Sequence, residues 1–204
     1  MTHVDETLEA VSRANAYHVL ALAFVKPMDW EIGLPQQFRE LLAPPGSTLY
    51  GPASEAADAL EAALADREAT AVAHARLFLG PFEIQASPYA SVYLEPDQRL
   101  MGKVSLEVAR AYAEAGLGPS HGPAEAPDHI THELEFMYFL AFQEATTAET
   151  VWFERQQRFW RTHLGQWLPE FADTMIHADS HPFYGALARL LRTFSDSEAI
   201  RFSA

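Results

Sequence analysis

Apolar residues recur at a spacing of three and four along most of the chain, which is the period of an amphipathic helix. The first such segment covers residues 4–24, with apolar positions at Leu8, Val11, Val19 and Leu22. A proline in a helix interior removes a backbone donor and clashes with the preceding turn. We therefore expect this first helix to end before Pro27.

The same period predicts further helices over 35–42, 54–66, 70–79, 105–115 and 129–145. Ser54 and Asp128 precede two of them as plausible N-caps, and Thr146 and Glu149 have the spacing of a capping box for a following helix. A last helix is predicted to start near residue 180. Apolar side chains nearly encircle segment 129–145, so we place it at the centre of the core.

The helical period fails over residues 81–97, which we interpret as an ordered, aromatic-rich loop in which Ser91 to Leu94 could form a short strand. Glycines and prolines cluster over 116–127 and indicate a hinge. The predicted fold class is all-α, a single helical-bundle domain over residues 1–204 with about seven or more helices.

The 204 residues carry a formal net charge of −14, and only Lys26 and Lys103 are lysines. Such a surface repels phosphate backbones, so nucleic acid and anionic lipid are poor partners. A basic peptide would instead be attracted, although the charge is also compatible with solubility alone.

Cysteine is absent, which excludes disulfides, thiolate metal sites and cysteine nucleophiles. The start of the chain has no positive region ahead of an apolar stretch, so it does not read as a secretory signal. The best apolar run, residues 17–25, is far shorter than the roughly 18–20 residues that span a bilayer. We expect a cytoplasmic protein without an integral membrane segment.

His129, His132 and Glu133 form the one candidate metal site in the sequence. His129 and Glu133 lie four apart on one helical face, yet the order His-x-x-His-Glu matches no zinc-protease motif. Glycine-rich phosphate loops are also missing. What remains is a set of apolar residues near loops, which indicates either a groove or a satellite core: Leu77, Phe78, Phe82, Tyr89 and Tyr93.

Several ordered motifs resemble the TorD/DmsD family of redox-enzyme maturation chaperones, to which NarJ-type proteins are related. The residues that carry the resemblance are Leu77 to Pro81, Pro88 to Leu94, Glu125 to His129, Glu133 to Met137, His163 to Pro169 and Pro182 to Tyr184. Two departures are visible. The family pattern Glu-x-Pro-x-Asp-His lacks its residue between Pro127 and Asp128 here, and His74 or Ala75 replaces an aromatic expected before Leu77.

The resemblance implies an all-helical chaperone that binds the twin-arginine signal peptide and the apo form of a molybdenum-containing redox enzyme, and delays export until the cofactor is inserted. It implies neither catalysis nor a cofactor of its own. The sequence leaves open whether the protein is a monomer or, through the 116–127 hinge, a domain-swapped dimer. Glu125, Asp128, Glu133 and Glu135 are natural arginine partners, because carboxylates accept paired bonds from guanidinium. The predicted peptide-binding residues are Leu77, Phe78, Pro88, Tyr89, Tyr93, Glu125, Pro127, Asp128, His129 and Glu133.

Two other classes of function stay open. One is a structural subunit that remains in a finished redox complex. The other is a metal-dependent enzyme that uses His129, His132 and Glu133.

Overall fold

The computed structural model describes residues 3–42, 47–80, 84–97, 100–118, 125–178 and 181–203, with side chains from residue 7 onward. In these ranges the chain forms ten α-helices and no β-sheet, which confirms the all-α prediction. The helices are α1 His3–Ala23, α2 Leu34–Leu41, α3 Tyr50–Ala65, α4 Arg67–His74, α5 Ala90–Leu94, α6 Lys103–Glu114, α7 Ile130–Thr147, α8 Thr150–Thr162, α9 Leu164–His177 and α10 Pro182–Arg201.

Helix ends agree with the sequence pattern in some places and differ in others. Pro27 opens a short 3₁₀-helix, Pro27–Asp29, just after α1 ends. Ser54 lies inside α3 rather than at its start, so its predicted capping role is wrong. The capping box is also wrong, because Thr146 is still within α7 and donates its hydroxyl to the Phe142 carbonyl at 2.9 Å.

Helix α7 lies at the centre of the core, as its apolar composition predicted. It packs against α1 on one side and α8 on another, while α10 packs against α3 and α9. Its inward side chains Leu134, Met137 and Leu140 are fully buried. The encirclement is incomplete, however, since Phe142 keeps 47% of its surface exposed.

Helix α1 turns a different face to the core than its apolar spacing indicated. Leu8 and Val11 are 63% and 42% exposed, whereas Ala10, Ala14 and Tyr17 are buried. Small side chains let two helix backbones approach closely, and α1, with its buried alanines, packs against α7. Leu8 and Val11 are left on the surface, whereas Val19, from the same apolar spacing, is buried.

The predicted short strand over Ser91 to Leu94 is wrong, because residues 90–94 form helix α5. Only one isolated antiparallel bridge, between Tyr89 and His129, appears in the part of the chain described. Half of the predicted hinge, residues 119–124, lies outside the described residues. Among the helices described, none combines the length and low polarity that crossing a bilayer demands.

Candidate peptide-binding site

The buried carboxylate of Asp128 stabilises the start of α7. The sequence predicted a different role for this residue. Asp128 was predicted to cap α7, but the N-cap is His129, whose Nδ1 accepts a hydrogen bond from the Thr131 amide at 3.3 Å. Asp128 has no exposed surface. Its carboxylate accepts from the Ser105 hydroxyl at 2.5 Å and from the Ser91 amide at 2.9 Å. Asp128 therefore joins α5 and α6 to the first turn of α7.

Backbone pairing brings the loop before α5 onto the same turn. The Ile130 amide donates to the Pro88 carbonyl at 2.8 Å, and the Ala90 amide donates to the Asp128 carbonyl at 2.9 Å. Between these two bonds, the rings of Tyr89 and His129 meet edge to face with centroids 5.0 Å apart. The two segments are thus adjacent in space, although they lie about forty residues apart in sequence. Both carry family motifs.

A third segment arrives through a π-helix, Ala75–Leu79, which continues α4 without interruption. Its wider turn is closed by the Gly80 amide, which donates to the Ala75 carbonyl at 2.8 Å. Gly80 has a φ of +64°, a conformation that side chains with a Cβ rarely adopt. The π-helix points Leu77 and Phe78 inward, and π-helical turns are frequent at functional sites.

These segments and the end of α1 enclose a cleft of about 300 Å³, which we call the α7 cleft. Four predicted site residues line it, namely Phe78, Pro88, Glu125 and His129. The sequence did not single out the other lining residues for this site: Phe24, Val25, Lys26, Asp29, His74, Leu79, Ile130, Thr131 and His132. No local motif marks the end of α1 as part of a site, because it joins the cleft through tertiary contacts such as that of Phe24 with Phe78, whose ring centroids lie 5.9 Å apart.

The cleft combines neutral imidazoles with exposed carboxylates. Burial lowers the pKa of His129 to about 4, against a smaller opposing effect of Glu125. Burial also lowers the pKa of His74, so both rings are uncharged near neutral pH. Glu125 and Asp29 are exposed at the rim, and neither forms an ion pair with another described residue. Glu125 accepts only the neutral hydroxyl of Tyr89, at 2.5 Å.

The other predicted residues lie behind or beside the cleft. Leu77, Asp128 and Glu133 have no exposed surface and cannot touch a peptide directly. Glu133 accepts from the Trp167 indole at 3.2 Å, and burial raises the pKa of its carboxyl. The carbonyl of Pro127 accepts from the Tyr112 hydroxyl at 2.8 Å.

Tyr93 is separate from this group. It stacks on Trp167 with ring centroids 5.5 Å apart, on the side of α5 that packs against α9. The sequence grouped Tyr93 with Tyr89 because both lie in one aromatic segment. Helix α5 instead directs the two rings into different surroundings.

The proposed metal ligands do not converge. The His129 Nδ1 is used in capping, the His132 Nδ1 lies 3.1 Å from the Ala126 carbonyl, and Glu133 points inward to Trp167. Over the residues described, no three His, Asp or Glu side chains come close enough to hold a metal ion. The arrangement required by the metal-dependent alternative is therefore not formed by these residues.

Comparison with known proteins identifies the family of this chain. Residues 47–173, more than half of the chain, match the family described as nitrate reductase delta subunit. The chain is 30% identical over 213 residues to the chaperone protein TorD of Shewanella loihica, with 97% of each chain covered. The chain belongs to the TorD/DmsD family of redox-enzyme maturation chaperones. The family predicted from the motifs is thereby confirmed.

A second curated relative is similar over a shorter stretch, and a solved structure has the same fold. The Tat proofreading chaperone DmsD of Salmonella typhi is 31% identical over 117 residues, which is 57% of this chain and 54% of DmsD. A solved structure described as a redox enzyme maturation protein from Archaeoglobus fulgidus has the same fold, with a TM-score of 0.57, 24% identity, and 90% and 93% of the two chains covered. TorD and DmsD are named as chaperones, which confirms the predicted non-enzymatic role.

Proposed function

We propose that this TorD/DmsD-family chaperone acts in the cytoplasm, where it binds the twin-arginine signal peptide of a molybdenum-containing oxidoreductase and delays export until the cofactor is in place. The observation that carries the proposal is the pair of exposed carboxylates, Glu125 and Asp29, at the rim of the α7 cleft. Neither is neutralised by a described cation. A guanidinium group can therefore bind them without displacing another cation.

The interior of the α7 cleft suits the part of a signal peptide that is not charged. The exposed Leu79 and the half-buried Val25 provide apolar surface, and the neutral rings of His74 and His129 add no positive charge. A moderately apolar peptide with two arginines matches both features. The relative named as a Tat proofreading chaperone supports the same class of partner.

The test uses a synthetic peptide with a twin-arginine signal sequence and a second peptide in which both arginines are replaced by glutamine. Calorimetry should show weaker binding of the glutamine peptide to the full chain. Stopped-flow measurements should show that added salt mainly lowers the association rate of the arginine peptide, because long-range attraction is screened. Equal affinity for both peptides at low salt would show that the acidic residues at the rim do not take part in binding.

The family description as a delta subunit favours one alternative, a subunit retained in the finished complex. Affinity purification from the host separates the two functions. A chaperone should co-purify with the immature oxidoreductase and be absent from the mature enzyme. A stoichiometric amount in the mature enzyme would favour the subunit.

A further inference from the structure

One basic side chain lies at the rim of the α7 cleft. Lys26 lines the cleft just after α1 ends at Ala23, and it is exposed. Of the described residues that line the cleft, Lys26 alone is a lysine or arginine. The chain has only one other lysine, Lys103. A lysine at this rim opposes the attraction of a basic peptide, unless the peptide also offers the lysine a negative partner.

Lys26 forms no ion pair with the acidic residues that share the rim. Asp29 lies in the same 3₁₀ turn, where its amide donates to the Lys26 carbonyl at 2.8 Å, and Glu125 also lines the cleft. Neither carboxylate is paired with the Lys26 ammonium group, and no other described residue is. Lys103, in contrast, lies 3.5 Å from Glu107. The rim therefore offers a ligand one positive and two negative charges.

The positive charge of Lys26 acts on the interior of the cleft as well as on the solvent. His74 lines the same cleft and is 7% exposed. Burial is the main cause of the lowered pKa of His74, and the charge of Lys26 lowers that pKa further. A nearby positive charge has this effect on an imidazole because it disfavours the protonated ring. The ammonium group is thus close enough to the cleft to contact a bound peptide.

A purely structural role for Lys26 would have a different consequence. A cation close to the C-terminus of a helix interacts favourably with the helix dipole, and the effect falls off within the last turn. Lys26 lies three residues beyond Ala23, and the last turn of α1 contains no basic residue. Such a role would change the stability of α1. It would not change which of two peptides is bound more tightly.

We propose that Lys26 determines specificity by binding a carboxylate next to the arginine pair of the client's signal peptide. This inference rests on the proposed function, in which Glu125 and Asp29 accept the arginines. The complementary peptide then carries two positive charges and one adjacent negative charge. A peptide with a third cation in that place meets like charge at Lys26 and is disfavoured. Net charge predicts the reverse order, because a chain with a charge of −14 attracts the more basic peptide.

Two sets of peptides and three variants of the full chain test the proposal. All peptides share one twin-arginine signal sequence. The first set carries glutamate, glutamine or lysine immediately before the arginine pair, and the second set carries the same residues immediately after it. Lys26→Gln removes the positive charge, and Lys26→Arg retains it. Lys103→Gln is the matched control, because it removes the chain's other lysine, whose side chain is 84% exposed on α6.

Calorimetry in about 0.15 M salt confines charge attraction to roughly 8 Å. In one of the two sets, the unmodified chain should bind the glutamate peptide about fivefold more tightly than the glutamine peptide, which is the scale of an exposed charge pair. The lysine peptide should bind most weakly. Lys26→Gln should abolish this preference, whereas Lys26→Arg and Lys103→Gln should retain it. Each ratio compares peptides on one protein, so a change in the stability of α1 cancels.

The outcomes separate this inference from the proposed function. If the peptides bind and Lys26→Gln leaves the ratio of affinities unchanged, the inference is overturned while the proposed function stands. The absence of a glutamate preference in both sets also overturns it, as does loss of the preference in Lys26→Arg. Loss of the preference in Lys103→Gln overturns it too, because the effect then comes from net charge. If no peptide binds the unmodified chain, the proposed function fails and the inference fails with it.

Discussion

The α7 cleft and a second cleft of about 230 Å³ between α6 and α8 differ in whether their acidic side chains form ion pairs with basic ones. The α6–α8 cleft is lined by Arg110, Arg155 and Arg158, and its glutamates are already paired. Arg158 bonds Glu114 at 2.8 Å, and Lys103 lies 3.5 Å from Glu107. In the α7 cleft the carboxylates have no such partner among the described residues.

The difference shows why net charge alone does not locate a site for a cationic peptide. A chain with a charge of −14 attracts basic partners over its whole surface, but a specific contact needs carboxylates that are free to accept a guanidinium. The chain keeps several of its few basic residues around the α6–α8 cleft. The α7 cleft is left with two acids that have no ion-pair partner among the described residues, one exposed lysine, Lys26, and the neutral rings of His74 and His129.

The largest expected effect comes from removing Asp128, which is buried behind the α7 cleft. Removing Glu114, which is exposed at the α6–α8 cleft, provides the comparison. Asp128→Ala deletes both hydrogen bonds to the buried carboxylate and leaves the Ser91 amide without its partner. We expect the free energy of unfolding to fall by about 3 kcal/mol, as for loss of a charged, buried acceptor. Glu114→Ala removes an exposed ion pair at the α6–α8 cleft and should cost less than about 1 kcal/mol.

Urea unfolding of both variants measures this contrast. Ser105→Ala adds an intermediate point, because it removes one of the two bonds to Asp128 and should cost about 1 kcal/mol. A drop for Asp128→Ala no greater than that for Glu114→Ala would show that the buried contacts contribute little to holding α5, α6 and α7 together.

Acid should make the two clefts more alike, because protonation of His129 would place a positive charge in the α7 cleft. The pKa of His129 lies at about 4 in the folded chain and near 6.5 when unfolded. Between these values the unfolded chain binds the proton and the folded chain does not. Stability from this group is therefore complete above pH 6.5 and is lost as the pH falls toward 4.

His129→Asn isolates this effect, because asparagine caps a helix well and does not titrate. The groups that contribute to the His129 pKa are Glu125, His132, Asp128 and His74, and they are present in both proteins. Denaturant unfolding at pH 7 and at pH 4.5 should show that the unmodified chain loses on the order of 2 kcal/mol more than His129→Asn. Equal losses in the two proteins would mean that His129 is not kept neutral by burial.

Sequence reasoning recovered the helical fold because the period of three to four is a local signal. It failed where a tertiary contact decided the outcome. Residues 90–94 became helix α5 with the Ser91 amide bonded to Asp128, and α1 buried its alanines rather than Leu8 and Val11. Neither choice can be read from the spacing of residues in one segment.

The residues that line the candidate site could be predicted from the sequence only in part, for a similar reason. Motifs identified the three segments that meet at the α7 cleft, but not which side chains face it. Asp128 and Glu133 are buried, whereas Asp29 and His74, which no motif indicated as site residues, line the cleft. A carboxylate near a binding motif can contact the ligand or support the residues that do, and burial distinguishes the two roles.

The smallest expected effect concerns two exposed glutamates, one at each cleft. Glu125→Gln keeps an acceptor for the Tyr89 hydroxyl but removes the charge at the rim of the α7 cleft. An exposed charge pair contributes at most about 1 kcal/mol, so affinity for the twin-arginine peptide should fall up to about fivefold. Glu114→Gln removes the same charge from the α6–α8 cleft, where the carboxylate is already paired with Arg158, and should leave the affinity unchanged.

Both variants lower the net negative charge by one, so general attraction to the acidic surface predicts the same small loss for each. Calorimetry at low salt decides between these outcomes: a loss for Glu125→Gln alone assigns recognition to the α7 cleft, and equal losses assign it to the overall charge of the chain.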